Sequence, residues 1–177
     1  MSTNFKLEFI SDVVCPWCII GYKRLQQAIN ELGVENQIDI AWQPFELNPE
    51  MPAEGENLPE HISRKYGSSV EDAKRNAEQI TELGSELGFE FDFFDSAFSS
   101  FVTKLVDAYF NERKDISDRE ILTQVIQSLG LDTNEALARL NDAAVRNQVE
   151  DEEELWRNRG VTGVPTVVFG SLGALVG

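Results

Sequence analysis

Phe5, Leu7 and Phe9 alternate with Lys6 and Glu8, and Ile10 carries the apolar character onward. A period of two with one apolar face predicts a β-strand. After Pro16 the step changes: Gly21 or Tyr22, then Leu25, Ala28, Ile29 and Leu32 recur at intervals of three and four and stop at Gly33. That spacing predicts an amphipathic helix with a glycine C-cap. Ile38, Ile40 and Trp42 then share one face of a second strand, which ends at Pro44. Strand, helix, strand is the opening of an α/β layer.

The closely spaced prolines of Phe45-Glu46-Leu47-Asn48-Pro49-Glu50-Met51-Pro52 exclude regular structure and mark an exit loop. From Leu58 the periodicity is helical for most of the following hundred or so residues. Ser68-Ser69-Val70-Glu71 and Ser117-Asp118-Arg119-Glu120 read as capping boxes. Val70, Ala73, Ala77, Ile80 and Leu87 form the stripe after the first; Ile121, Leu122, Val125, Ile126 and Leu129 follow the second. Between them lie Phe89, Phe91, Phe93 and Phe94, then Phe98, Phe101, Val102, Leu105 and Tyr109 at helical spacing. Packing of a helical lobe onto the sheet is the preferred use of these aromatics, over a substrate groove.

Strand character returns at Thr166-Val167-Val168-Phe169, preceded by Pro165, and Gly170-Ser171-Leu172-Gly173 turns the chain into Ala174-Leu175-Val176. The expected organisation is a discontinuous unit of residues 1–47 and 160–177, with an inserted helical lobe at 48–159. There is no internal repeat and no low-complexity segment.

Hydrophobic residues are 42% of the 177, enough for a real core. The net charge of −16 repels phosphate backbones and anionic lipid, so nucleic-acid and membrane partners are disfavoured. The acidic run Glu150-Asp151-Glu152-Glu153-Glu154 reads as a solvated helix face. No apolar run is long enough to span a bilayer, and Met1-Ser2-Thr3-Asn4-Phe5-Lys6 lacks the pattern of a secretion signal. A cytoplasmic location is expected.

The chemistry points to Cys15-Pro16-Trp17-Cys18, which holds both cysteines of the chain. Cys15 falls at or near a helix N-cap, with Pro16 at the first helical position. Orphan N–H groups and the helix dipole there favour a thiolate. Cys18 lies on the same helix face, at a spacing that brings the Cα atoms about 5–6 Å apart, within disulfide range. One sulfur can attack an external disulfide and the other can resolve the mixed intermediate. A zinc site is disfavoured: beyond these two cysteines the chain has one histidine, His61. Inert buried cysteines are the other bland reading, against which the strand-to-helix placement argues. Pro16 and Trp17 tune the site without positive charge, while Asp12 and the acidic protein push the thiol pKa upward.

Together, the Cys-x-x-Cys after a first strand, the helical insertion and Gly163-Val164-Pro165-Thr166 before a hairpin strongly resemble the thioredoxin fold. Within it, Asp12-Val13-Val14-Cys15-Pro16-Trp17-Cys18 and Trp42-Gln43-Pro44-Phe45-Glu46-Leu47-Asn48-Pro49 resemble the FrnE-like branch of the DsbA family. The resemblance implies a cis Val164–Pro165 bond facing the cysteines, where it would also keep them from metal. It further implies that the Val164 backbone is open to pair with an extended substrate. The helical lobe is shorter than the family's, and the chain stops at Gly177, about where the family continues into a last helix. The expected fold is thus α/β, thioredoxin-like with a helical insertion and lacking the usual C-terminal helix. Apolar sheet surface left uncovered would suit self-association.

The implied function is a thiol–disulfide oxidoreductase, with Cys15 nucleophilic, Cys18 resolving, and Val164 and Pro165 shaping the substrate side. Disulfide-containing proteins or small thiols are the expected partners, and no cofactor is expected beyond glutathione as a co-substrate. Without a cationic neighbour for the thiolate, the expected reduction potential lies nearer about −270 mV than about −120 mV, favouring reductase or isomerase action. One alternative is a glutathione-dependent isomerase or transferase of small aromatic molecules such as 2-hydroxychromene-2-carboxylate, although those relatives carry serine at the Cys15 position. The other is a non-catalytic thioredoxin-like interaction module.

Overall fold

In the computed structural model, residues 4–51, 58–88, 105, 108, 109, 112 and 114–177 are described. Strand β1 (Phe5–Ser11) leads through a short turn into helix α1 (Pro16–Leu32), and a single 3-10 turn precedes β2 (Ile38–Pro44). Helices α2 (Leu58–Tyr66), α3 (Val70–Glu86), α4 (Arg119–Ser128), α5 (Thr133–Leu140) and α6 (Ala143–Asn158) follow. The hairpin of β3 (Thr166–Val168) and β4 (Ala174–Val176) comes last.

The sheet order is β2-β1-β3-β4. β1 and β2 run parallel with Phe9 opposite Trp42, and β3 runs antiparallel to β1 with Phe9 opposite Val167. β1 is therefore interior, which explains a departure from the alternating pattern. Leu7 and Phe9 are buried on one face, yet the neighbouring Ile10 is also fully buried. Both faces of the central strand are covered at that end: Phe9 meets the α1 side, and Ile10 joins the cluster that holds the two cysteines. An aromatic trio locks α1 to the sheet, with Trp42 and Phe9 at 4.8 Å edge-on and Tyr22 at 4.8 Å from Trp42. Helix α1 ends as expected, with Gly33 left-handed at φ 63° and its N–H on the Asn30 carbonyl.

The caps of the helical lobe differ from expectation in detail. The first capping box joins Ser69 to Asp72, one residue later than the Ser68–Glu71 reading, because Ser68 turns its hydroxyl to the Ile62 carbonyl instead. At the second, Asp118 rather than Ser117 is the N-cap; Ser117 donates its hydroxyl to Asp115 at 2.6 Å. Val125 of the second stripe packs with Leu105 and Ala108. Phe89, Phe91, Phe93, Phe94, Phe98, Phe101 and Val102 lie outside the described residues, as do the side chains of Val70 and Ala73.

The acidic run is solvated except at one place. Glu153 is 8% exposed, because it lies one helical turn before Trp156, the residue that α6 buries against the sheet unit. The helix that the sequence assigns to the insertion thus contributes to the cluster around the cysteines. At the other end of the sheet, Leu172, Leu175 and Val176 are exposed. Among the described residues, no helix is long and apolar enough to cross a membrane.

Candidate active site

The turn between β1 and α1 is built by one buried carboxylate. Asp12 Oδ1 accepts the Val14 N–H at 3.0 Å, and Oδ2 accepts the Leu47 N–H at 2.9 Å from the loop after β2. The Asp12 carbonyl accepts the Cys15 N–H at 3.1 Å. Cys15 is thereby held in extended conformation as the N-cap of α1, with Pro16 opening the helix. Its carbonyl takes the Cys18 N–H at 3.1 Å, which brings the second cysteine beneath the first.

Both thiols are free and little exposed, 6% for Cys15 and 3% for Cys18. The Cys15 thiol faces the Val164 carbonyl at 3.8 Å. The Val164–Pro165 bond is cis, as the family resemblance implies. Below that bond Thr166 is fully buried and donates its hydroxyl to the Gly163 carbonyl at 2.7 Å, fixing the loop to β3. Asp12, Cys15, Trp17, Cys18, Val164 and Pro165 therefore converge, and Trp17 packs partly buried on the cysteine cluster. Pro16 stands in the same helical turn.

The two sulfurs are driven apart electrostatically. A hydrogen bond from Cys18 is the chief reason the Cys15 thiol lies below its ordinary value of 9.0; burial opposes it, and the Asp12 charge opposes it less. Cys18 is pushed well above 9.0, first by burial and then by its bond to Cys15. The upward push from Asp12 is present as expected, but it is outweighed by the hydrogen bond from Cys18, which depends on how the folded turn sets the two sulfurs against each other.

Three neighbours were missed. Phe45 and Trp156 are buried against the cysteines, and Arg157 binds the loop to α6: its guanidinium sits 5.1 Å from the Phe45 ring, on the Glu46 carbonyl at 3.3 Å and on Glu153 at 3.3 Å. The carboxyl of Glu153 is pushed upward by burial and by Glu46, against the pull of Arg157. The chain has three tryptophans, and one in the last turn of a charged helix was the available signal for Trp156. Among the described residues, no three metal-ligating side chains are grouped, and His61 stands 3.4 Å from Arg64.

A helix-start dithiol facing a cis-proline loop, on a mixed four-stranded sheet, defines a thioredoxin-fold redox protein. The chain belongs to the DSBA-like thioredoxin domain family, whose model matches residues 6–101 and 95–177. It is 26% identical to the uncharacterized protein YwbO of Bacillus subtilis, over 93% of this chain and 86% of that one. A probable DsbA oxidoreductase from Streptomyces coelicolor superposes with a TM-score of 0.82 and 25% identity, covering 98% of this chain and 83% of that one. The cytosolic disulfide reductase DsbM of Pseudomonas aeruginosa shares the fold at a TM-score of 0.57 and 17% identity, over 97% of this chain and 88% of its own. The chain thus falls among the DsbA-like thioredoxin oxidoreductases, enzymes of the thiol–disulfide type.

Proposed function

We propose that this protein reduces or isomerises protein disulfides through the Cys15–Cys18 pair. The observation that carries the reading is the placement of two free thiols at one helix start, Cys15 as the N-cap facing the Val164 carbonyl at 3.8 Å and Cys18 buried one turn on; the Cys18 hydrogen bond lowers the Cys15 thiol, and burial raises that of Cys18. Cys15 is the form that attacks; Cys18 is held in reserve with its proton.

In the forward step the Cys15 thiolate attacks one sulfur of a substrate disulfide, forming a mixed disulfide and expelling the other substrate sulfur as thiolate. The expelled substrate thiolate then takes the Cys18 proton, and the Cys18 thiolate attacks the Cys15 sulfur, forming the internal disulfide, breaking the bond to the substrate and releasing its second sulfur as thiolate. The substrate gains two electrons and the protein loses two. Glutathione is the co-substrate that returns them, and two glutathione thiols become one glutathione disulfide. For isomerisation the mixed disulfide is released by a different substrate thiol, with no net electron transfer.

Val164 and Pro165 form the substrate-binding side, where the Val164 backbone can pair with an extended segment, and Pro16 and Trp17 shape the approach to Cys15. A cytoplasmic location fits an electron flow toward the substrate. The exposed apolar hairpin residues suit self-association or a partner.

The test is equilibration of the purified protein across a glutathione redox series, with free thiols alkylated and counted by intact mass. A reversible two-thiol transition nearer about −270 mV than about −120 mV is expected. A transition near the oxidising value would overturn the direction, and thiols that never pair would favour a non-catalytic interaction module. Retention of all turnover in a Cys15→Ser variant would favour small-molecule isomerase chemistry.

A further inference from the structure

Gly21 is the sixth residue of α1, three beyond Cys18, so it lies one turn further along the same side of the helix. Its backbone does not call for glycine: it is absent from the positions with positive φ, and a glycine inside a helix weakens it. What the position requires is the missing side chain. A Cβ built on Gly21 would stand 2.7 Å from Pro165 Cγ, closer than real Cβ atoms come to a neighbour, and 3.2 Å from Pro165 Cβ, tighter than ordinary contact. The other neighbour, Phe9 Cζ, is at an ordinary 4.0 Å. Across the ring, Gly177 approaches the same Pro165 Cγ to 2.9 Å at its own would-be Cβ, and its N–H donates to the Pro165 carbonyl at 2.8 Å. Pro165 is seated between two glycines.

We propose that Gly21 is a positioning residue of the exchange site, setting through Pro165 how closely the Val164 carbonyl approaches the Cys15 sulfur. This rests on the functional reading above. The helix that carries both cysteines and the loop that carries Val164 meet where Gly21 touches Pro165. An added methyl must move that ring by about 0.7 Å to reach the 3.4 Å of ordinary contact. Gly163 to Thr166 are tied by the Thr166 hydroxyl, so the displacement is passed to Val164. The Val164 carbonyl, now 3.8 Å from the Cys15 sulfur, favours the thiol by accepting its hydrogen and repelling a thiolate. The same loop would hold the substrate segment, and misplacement on the order of 1 Å can cost about a hundredfold in rate.

The test is Gly21→Ala in the full chain, alone and in a Pro165→Ala background. Two quantities are read: the pH profile of Cys15 alkylation by iodoacetamide, and the rate of reaction with a model peptide disulfide. The geometry requires the alkylation midpoint of G21A to move to lower pH and its exchange rate to fall about tenfold or more. In the Pro165→Ala background, where the Cγ at 2.7 Å is gone and only a Cβ at 3.2 Å remains, the same substitution is expected to change both quantities clearly less than it does in the wild type. A merely structural role would alter stability without moving the alkylation profile. An unmoved profile, or an equal effect in both backgrounds, overturns the proposal. If G21A fails to fold, a folded G21A/P165A double variant supports it, and a double variant that also fails overturns it. The alkylation readout needs no disulfide turnover, so absence of exchange in the wild type would count against the functional reading alone.

Discussion

Asp12→Asn separates the two roles that one buried carboxylate plays. Asp12 is 8% exposed and each of its oxygens accepts a backbone N–H, from Val14 at 3.0 Å and Leu47 at 2.9 Å. An asparagine keeps one acceptor and turns an NH2 group toward the other N–H, so one charge-assisted bond becomes an unpaired donor. Hydrogen bonds to charged groups contribute about 1.5–3 kcal/mol and an unsatisfied buried donor costs about 1–3 kcal/mol, so a net loss of about 2–4 kcal/mol is expected. For a chain of this size that corresponds to a fall in Tm of about 5–15 °C. The sulfur responds in the opposite sense. The Asp12 charge holds the Cys15 thiol up, so D12N lets it fall further below 9.0 and makes the protein more oxidising while less stable. Thermal melting reads the first effect; iodoacetamide alkylation against pH and the glutathione series read the second. A variant that melts like wild type, or whose alkylation midpoint rises, would refute the assignment of the carboxylate to both roles.

Cys18→Ala is expected to stop at a mixed disulfide with glutathione, visible by intact mass, because Cys15 can attack but nothing can resolve; free C18A after incubation with oxidised glutathione would contradict the assignment. Stability of the reduced wild type in urea is expected to fall as pH climbs past 9.0, since the unfolded chain then releases a Cys18 proton that the fold retains. Cys15 acts in the other direction, its contribution present above 9.0 and fading as pH drops through its lowered folded value; C18A melted at pH 7 and 10 should show a smaller alkaline loss than wild type, the remainder belonging to Tyr22 and Tyr109, which burial also raises. Glu153→Gln is expected to melt at or above wild type at pH 7, because the buried carboxyl is held above its ordinary 4.5, and the advantage should vanish below that pH. Trp156→Ala empties a site 2% exposed in the cysteine cluster and should cost about 3–5 kcal/mol in urea unfolding; under 1 kcal/mol would show that α6 does not anchor the site.

The site was legible in the sequence where local rules decide it. A cysteine before a proline at a strand-to-helix turn has few conformations open to it, and Cys15 sits as the N-cap as that rule requires. The cis Val164–Pro165 bond came through the resemblance rather than through any spacing. What escaped depends on contacts between distant segments. Ile10 breaks the alternation of β1 because the second face of a central strand is covered by a cluster that includes Trp156, which no local period can reveal. Glu153 belongs by composition to a solvated acidic run and by position to the turn before Trp156; position wins. Gly21 and Tyr22 were interchangeable in the helical stripe, yet one receives Pro165 and the other packs edge-on against Phe9.

The direction of electron flow turns on which of two influences on Cys15 survives oxidation. The hydrogen bond from Cys18 exists only between two reduced sulfurs, so it stabilises the dithiol alone and draws the potential toward the oxidising side. The Asp12 charge acts on the same sulfur in the same state and draws it back, since it repels a thiolate and is indifferent to a neutral disulfide. Among the described residues, no cationic side chain is a cause of the Cys15 shift, and Pro16 and Trp17, the two residues between the cysteines, carry no charge. A strongly oxidising dithiol needs its thiolate stabilised by more than its own partner. This one has the partner's hydrogen bond set against a buried anion three residues upstream. That balance, with burial the larger of the two opposing causes and Asp12 the one that carries charge, is the physical ground for expecting a donor of electrons to disulfides.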